Sequence, residues 1–216
     1  REANKKLFGA DLTAAEIVDR IVGDVRRDGD EAVIKYTKLI DRTEFTPEEF
    51  VVTEAEYEAA YQEADPAVVE SLRKAAENVR RYHQEQKPNS WMTYRDKGSI
   101  LGQSVIPLDR VGIYVPGGTA AYPSSVIMNA MPAVVAGVKE IIMMVPPKNG
   151  KINPYVLVAA KEAGVSKIFK IGGAQAIAAM AFGTETIPRV DKITGPGNIF
   201  VTLAKKAVYG HCDIDM

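Results

Sequence analysis

Three glycine-rich turns contain the residue types in this sequence that could do chemistry. They read YVPGG from Tyr114, IGGAQ from Ile171 and TGPGN from Thr194. Glycine lets a ligand approach the backbone because it has no Cβ, and a helix that follows offers free amides and a positive dipole end to phosphate. Two of the turns also carry an amide side chain, Gln175 and Asn198. This pattern favours a ligand-binding edge over turns that are rich in glycine for geometry alone.

The usual nucleotide-binding fingerprints are absent. In GPGNIF, Phe200 occupies the position of the third glycine of the GxGxxG pattern. Neither GTETIPRV nor GGTAAYPSS has the Gly-Lys-Ser/Thr that a P-loop requires. Any nucleotide would therefore be held without a standard fingerprint.

Histidine, cysteine and paired carboxylates are scarce. His83, His211 and Cys212 are the only histidines and the only cysteine. Neighbouring residues of a strand point to opposite faces, so His211 and Cys212 would not share a metal, and His83 suits the C-terminal end of a charged helix. Asp213 and Asp215 share a strand face but lack a partner for acid–base work. We predict no catalytic residue and no metal ligand within this chain.

From about residue 110, strands and helices alternate and position the three turns. VGIYV, EIIMMV, KIFKI and VDKIT are typical of strands, each is followed by a helical pattern, and DIDM begins one more strand. Such alternation predicts right-handed crossovers and a parallel sheet, whose strands all end at one edge. The fold class is therefore α/β, with a Rossmann-like parallel sheet.

The N-terminal part is mainly helical and holds about two thirds of the charged residues. Capping boxes start helices at Thr13 and Thr53, and an Asp65 cap precedes a third. Residues 98–115 predict two strands, and Trp91 and Tyr94 before them are expected to pack in a connector. We predict two domains, an N-terminal helical part with connecting strands over 1–109 and a Rossmann-like unit over 110–216, truncated at its C-terminal end.

Composition excludes several classes of function. The net charge of −1 gives no electrostatic case for nucleic acid or an anionic membrane, and no apolar run approaches the roughly 18 residues that span a bilayer. The N-terminus lacks a signal-peptide pattern, and a single cysteine suits the reducing cytoplasm. The chain stops within the strand-like DIDM without a turn, so we expect a fragment of a longer protein.

The long segments VGIYVPGGTAAYPSSVIMNAMPAVVAGV and IGGAQAIAAMAFGTETIPRVDKITGPGNIFV, with DIDM, closely resemble L-histidinol dehydrogenases. The resemblance implies oxidation of L-histidinol through L-histidinal to L-histidine with two NAD⁺, in the last steps of histidine biosynthesis. It also implies an incomplete Rossmann-type fold related to aldehyde dehydrogenases, and a homodimer. The family's NAD-contacting tyrosine, glutamine and asparagine correspond to Tyr114, Gln175 and Asn198.

The same resemblance implies a catalytic zinc and a Glu-His pair for proton transfer, all beyond Met216. The chain would then resemble only the first half of the enzyme and be inactive alone. Two alternatives stay open. One is a related NAD-dependent alcohol dehydrogenase of the same superfamily with another substrate, and the other is a catalytically silent nucleotide-binding or interaction module.

Overall fold

The structure, a computed structural model, describes residues 8–117 and 121–215. A five-stranded sheet lies at its centre, and its strands run parallel in the order β5–β4–β3–β6–β7. These strands are β3 Arg110–Tyr114, β4 Glu140–Met144, β5 Lys167–Phe169, β6 Lys192–Thr194 and β7 Asp213–Ile214. The predicted α/β class with a parallel sheet is confirmed.

Seven α-helices of the described residues surround this sheet. They are α1 Ala14–Tyr36, α2 Glu54–Glu63, α3 Pro66–Gln86, α4 Pro123–Ala136, α5 Pro154–Glu162, α6 Gly173–Phe182 and α7 Ile199–Val208. A π-helical turn, Thr37–Asp41, continues α1, and short 3₁₀ segments cover Pro47–Phe50 and Asp96–Gly98. No helix among the described residues combines the length and the apolar character that a membrane crossing would need.

Helices bury both faces of the sheet. Successive residues of a strand point to opposite faces, so neighbouring residues enter different core clusters. On β4, Ile142 and Met144 join one core cluster, and Ile141 and Met143 join the other. The first cluster lies under α1, α6 and α7, and the second lies under α2, α3, α4 and α5. The N-terminal helices therefore cover both faces, while the division at residue 110 stays a prediction.

The predicted helix starts are present. Thr13 and Thr53 each form a complete capping box, and Asp65 accepts the Ala67 amide at 2.8 Å. Within α1, two helical stretches meet at a kink where Gly29 has a non-helical backbone, with φ 55° and ψ −130°. Only glycine adopts such a backbone readily.

The connector before the main sheet differs from the prediction. Trp91–Tyr94 (β1) and Ile100–Gln103 (β2) form a separate antiparallel pair. Trp91 is 54% exposed and Tyr94 is 75% exposed, so the expectation that these aromatic side chains pack was wrong. The two strands predicted within 98–115 do form, as β2 and β3, but they belong to different sheets.

Candidate functional site

The three glycine-rich turns meet at the carboxyl edge of the sheet. They follow β3, β5 and β6, and β3 is the direct neighbour of β6. A Cβ added at Gly195 would overlap the backbone carbonyl of Tyr114, so the turn after β6 rests against the end of β3. Gly117 and Gly172 both pack closely on Pro146, which follows β4. Gly118 of the first turn lies outside the described residues.

These contacts change the role we expected for the glycines. At Gly117, Gly172 and Gly195, the space that a Cβ would need is filled by a neighbouring turn. The missing side chains therefore let the turns pack on one another, rather than opening the backbone to a ligand. Geometry explains these three glycines, so the polar side chains at the same edge must carry the case for a ligand.

Tyr114 and Gln175 lie together in a buried polar cluster. The Tyr114 hydroxyl accepts a hydrogen bond from the Gly173 amide at 3.1 Å. This bond joins the end of β3 to the turn after β5. The Gln175 side chain is fully buried, and its Nε2 donates to Oδ2 of Asp41 at 3.3 Å. Gln175 Oε1 is buried and has no hydrogen-bond partner among residues 8–117 and 121–215.

Asp41 is a site residue that the sequence reasoning missed. It ends the π-helical turn after α1, and Arg42 beside it takes a left-handed backbone with φ 55°. This geometry brings a carboxylate from the N-terminal helices to the first turn of α6. No local sequence signal marks a contact with Gln175, which lies 134 residues further along the chain.

Burial sets the protonation of this cluster. Burial raises the pKa of Asp41 to about 6, although the backbone amide of Gly172 opposes the change. Burial also raises the pKa of Tyr114 to about 12, and the nearby charge of Asp41 adds to that effect. Near neutral pH the cluster therefore contains a neutral phenol and a carboxyl group that can exchange its proton.

Asn198 occupies a different environment at the same edge. It is exposed and serves as the N-cap of α7, where its Oδ1 accepts the amides of Phe200 at 3.0 Å and Val201 at 3.2 Å. The side-chain Nδ2 makes no hydrogen bond to the part of the chain that is described. It is therefore available as a donor toward a ligand.

The structure thus places Tyr114, Gln175 and Asn198 at the same edge of the sheet, but only Asn198 is exposed to solvent. The Gly195 turn links Asn198 to Tyr114, and the Gly173 amide links Tyr114 to the helix that carries Gln175. Asn198 faces solvent, whereas Tyr114 is 4% exposed and Gln175 is 0% exposed.

A cavity of about 260 Å³ adjoins this cluster of turns. It lies between the ends of β3 and β4 and the start of α5, and its lining includes Pro116, Pro146, Lys148 and Lys151. The two lysines flank a tight turn in which their backbones exchange hydrogen bonds of 2.8 and 3.1 Å. Cationic side chains beside a helix start suit an anionic ligand.

The remaining candidate residues take structural positions. Asp213 pairs with Lys192 at 2.5 Å and Asp215 pairs with Lys205 at 2.7 Å, so each carboxylate has its own cation. Cys212 is buried, which raises the pKa of its thiol to about 11. Among the residues that the structure describes, no three His, Cys, Asp or Glu side chains gather closely enough to hold a metal.

The two histidines, His83 and His211, lie at the surface of the protein. His83 lies in the last turn of α3, as expected, with Nδ1 2.8 Å from Oε1 of Gln86. The ring of His211 contacts the ring of Phe182, and its carbonyl accepts from Arg189.

A parallel sheet covered by helices on both faces, with polar side chains at its carboxyl edge, defines a doubly wound α/β protein, a class that binds ligands at that edge. Comparison with known proteins identifies a family within this class. A family model described as Histidinol dehydrogenase matches residues 8–216. The chain belongs to the histidinol dehydrogenase family.

Similar proteins agree with this assignment. The histidinol dehydrogenase of Carboxydothermus hydrogenoformans is 57% identical over 199 residues, which are 92% of this chain and 47% of that protein. That of Neisseria gonorrhoeae is 57% identical over 201 residues, 93% of this chain and 47% of that protein. The crystal structure of histidinol dehydrogenase from Elizabethkingia anophelis superposes with a TM-score of 0.89 at 37% identity, over 96% of this chain and 48% of that chain. The chain spans about half the length of the curated relatives it matches.

Proposed function

We propose that this chain supplies the NAD⁺-binding edge of an enzyme that oxidises L-histidinol through L-histidinal to L-histidine. Two findings support the proposal: the chain belongs to the histidinol dehydrogenase family, and the three turns that carry Tyr114, Gln175 and Asn198 lie at one edge of a parallel sheet. The site would bind and orient the dinucleotide, which accepts a hydride when bound.

One observation carries the cofactor assignment. Gln175 Oε1 is buried without a partner in the described part of the chain, and a buried polar atom left unpaired costs about 1–3 kcal/mol. Unpaired buried polar atoms are found at functional sites, where a bound ligand can supply the missing hydrogen bond. Nδ2 of Asn198, which makes no hydrogen bond to residues 8–117 and 121–215, adds a donor at the same edge. The residues present therefore fit a ligand that offers both donors and acceptors, as a nicotinamide dinucleotide does.

The chain's own residues would each have a distinct part in binding. Tyr114 keeps its proton at neutral pH, as tyrosine ordinarily does, and burial raises the pKa of its hydroxyl further, to about 12. It fixes the start of α6 by accepting the Gly173 amide. Gln175 would form a hydrogen bond shielded from water, which strengthens such a bond, while Asn198 would bind from the solvent side.

The described residues do not fit the zinc ion that the resemblance implies. No three candidate ligands gather within residues 8–117 and 121–215, and tetrahedral zinc sites use three or four protein ligands. We therefore propose no zinc ligand among the described residues. The zinc ligands, the catalytic bases and the homodimer remain parts of the proposal that follow from the family resemblance. The cytoplasmic location remains a proposal that rests on the single cysteine.

The cofactor assignment can be tested by titrating NAD⁺ in a calorimeter against the protein at the length its gene encodes. Each of Gln175→Ala and Asn198→Ala should raise the Kd for NAD⁺ about fivefold to tenfold, the equivalent of one lost hydrogen bond. Zinc content, measured by atomic emission, should stay unchanged. Asn78→Ala removes an exposed amide on α3 and is the matched control. An unaltered Kd in both site variants would refute the assignment.

A further inference from the structure

Two charged side chains bind the backbone of the turn that follows β6. The Gly195 amide donates to Oδ2 of Asp215 at 2.8 Å, and the Gly195 carbonyl accepts from Nζ of Lys205 at 2.5 Å. The same Nζ donates to Oδ1 of Asp215 at 2.7 Å. We call this closed set of three hydrogen bonds among Gly195, Lys205 and Asp215 the Gly195 clamp.

The Gly195 clamp buries a charged side chain at a position where burying an apolar side chain would have a lower free-energy cost. The Lys205 side chain is 5% exposed and that of Asp215 is 27% exposed. Removing an ammonium group from water is strongly unfavourable, and the attraction of its partner often does not compensate for the loss of hydration. The neighbours of Lys205 on α7 include the buried Ala204 and Val208, so an apolar residue at 205 would suit the helix. Such a residue could not bind the Gly195 carbonyl.

The turn held by the clamp has an unusual backbone. Gly195 has φ 117°, which L-residues with a side chain rarely adopt, and Pro196 has no amide to donate. Three residues after Gly195, Asn198 caps α7. The clamp holds Gly195 at the start of the turn, and the cap holds Asn198 at its end. Together they determine where the side-chain Nδ2 of Asn198 lies.

We propose that Lys205 and Asp215 are positioning residues, which hold the turn in the conformation in which Asn198 binds the dinucleotide. This inference rests on the proposed function, and it adds two residues to the proposed site. Neither residue needs to touch the cofactor. Lys205 acts from α7 and Asp215 acts from the end of β7, so the clamp also joins the turn to the edge strand of the sheet.

The test compares Lys205→Met with Lys206→Met, which removes an exposed lysine from the next position of the same helix. Calorimetry gives the Kd for NAD⁺ well below the melting temperature, and hydrogen exchange with mass spectrometry follows the amides of residues 193–199. In Lys205→Met the Kd should rise about tenfold and exchange of the turn should quicken by a similar factor. Lys206→Met should change neither by more than about twofold. Lys205→Arg should recover part of the affinity, because guanidinium can donate to both acceptors.

An unchanged Kd in a folded Lys205→Met protein would overturn the inference, even if its melting temperature fell, because a purely structural pair would behave in that way. Should Lys205→Met not fold, Asp215→Asn decides the question by the same two measurements. Absence of NAD⁺ binding by the unaltered protein would refute the proposed function instead. In that case, faster exchange of residues 193–199 in Lys205→Met would still support the clamp's hold on the turn.

Discussion

Asp41→Asn should make the protein more stable at neutral and alkaline pH, and much less so in acid. The Asp41 carboxyl is largely buried against α6, and burial raises its pKa from the ordinary 3.8 to about 6. The folded protein therefore binds this proton more tightly than the unfolded chain does. Folding gains from Asp41 in acid, and the gain is lost as the pH rises through about 6.

The size of the effect follows from the two pKa values. A change from 3.8 to about 6 corresponds to about 3 kcal/mol in total, and about 2 kcal/mol of this is lost between pH 4.5 and pH 8. Asparagine has nearly the same shape but does not titrate in this range. Its side-chain oxygen can still accept the hydrogen bond from Nε2 of Gln175, so the contact with α6 is kept.

Urea unfolding at pH 4.5, 6 and 8 measures this difference directly. The free energy of unfolding of the variant, minus that of the unaltered protein, should increase by about 2 kcal/mol from pH 4.5 to pH 8. Asp19→Asn removes an exposed carboxylate from α1 and is the matched control. A difference that stays constant with pH would mean that the Asp41 carboxyl is not desolvated as the structure indicates.

Two further substitutions test the packing that holds the site together. Gly195→Ala should lower the free energy of unfolding by several kcal/mol, since its Cβ would overlap the Tyr114 carbonyl. Gly210 also has a positive φ, 95°, but no atom lies within 4 Å of an added Cβ. Gly210→Ala should therefore cost only about 1 kcal/mol in the same urea titration. Equal costs for the two variants would contradict the close approach at Gly195. Phe169→Ala removes a ring that is 1% exposed and should cost about 3–5 kcal/mol. Tyr209→Ala, 66% exposed, should change the melting temperature little, and a small shift for both would argue against a packed core beneath β5.

The sequence predicted the features that depend on local rules. Capping at Thr13 and Thr53 follows from residues three positions apart, and the structure shows both boxes complete. The parallel sheet follows from alternating strand and helix patterns, because a crossover between parallel strands has one favoured hand. The common edge of the three turns needs no further information, since parallel strands must end on the same side.

Features that depend on distant contacts were not predictable in this way. The glycines were expected to face a ligand, yet Gly172 faces Pro146, a contact set by the packing of two separate crossovers. The ribbon of β1 and β2 has an apolar composition that is typical of buried strands, and nothing in its sequence indicates that Trp91 is exposed. Asp41 could not be identified either, because its partner Gln175 belongs to a helix of the other predicted domain.

The contact between Asp41 and Gln175 makes the N-terminal helices part of the site. The π-helical turn extends α1 until Asp41 reaches the start of α6, and α1 also packs along α6 and α7. The residue that determines the local charge at Gln175 therefore comes from the N-terminal helices, although the turns come from the sheet. A deletion of α1 together with the π-helical turn would remove this carboxyl along with much of one core cluster. The N-terminal helices are thus part of the candidate site, and the sheet alone would present Gln175 in a different electrostatic environment.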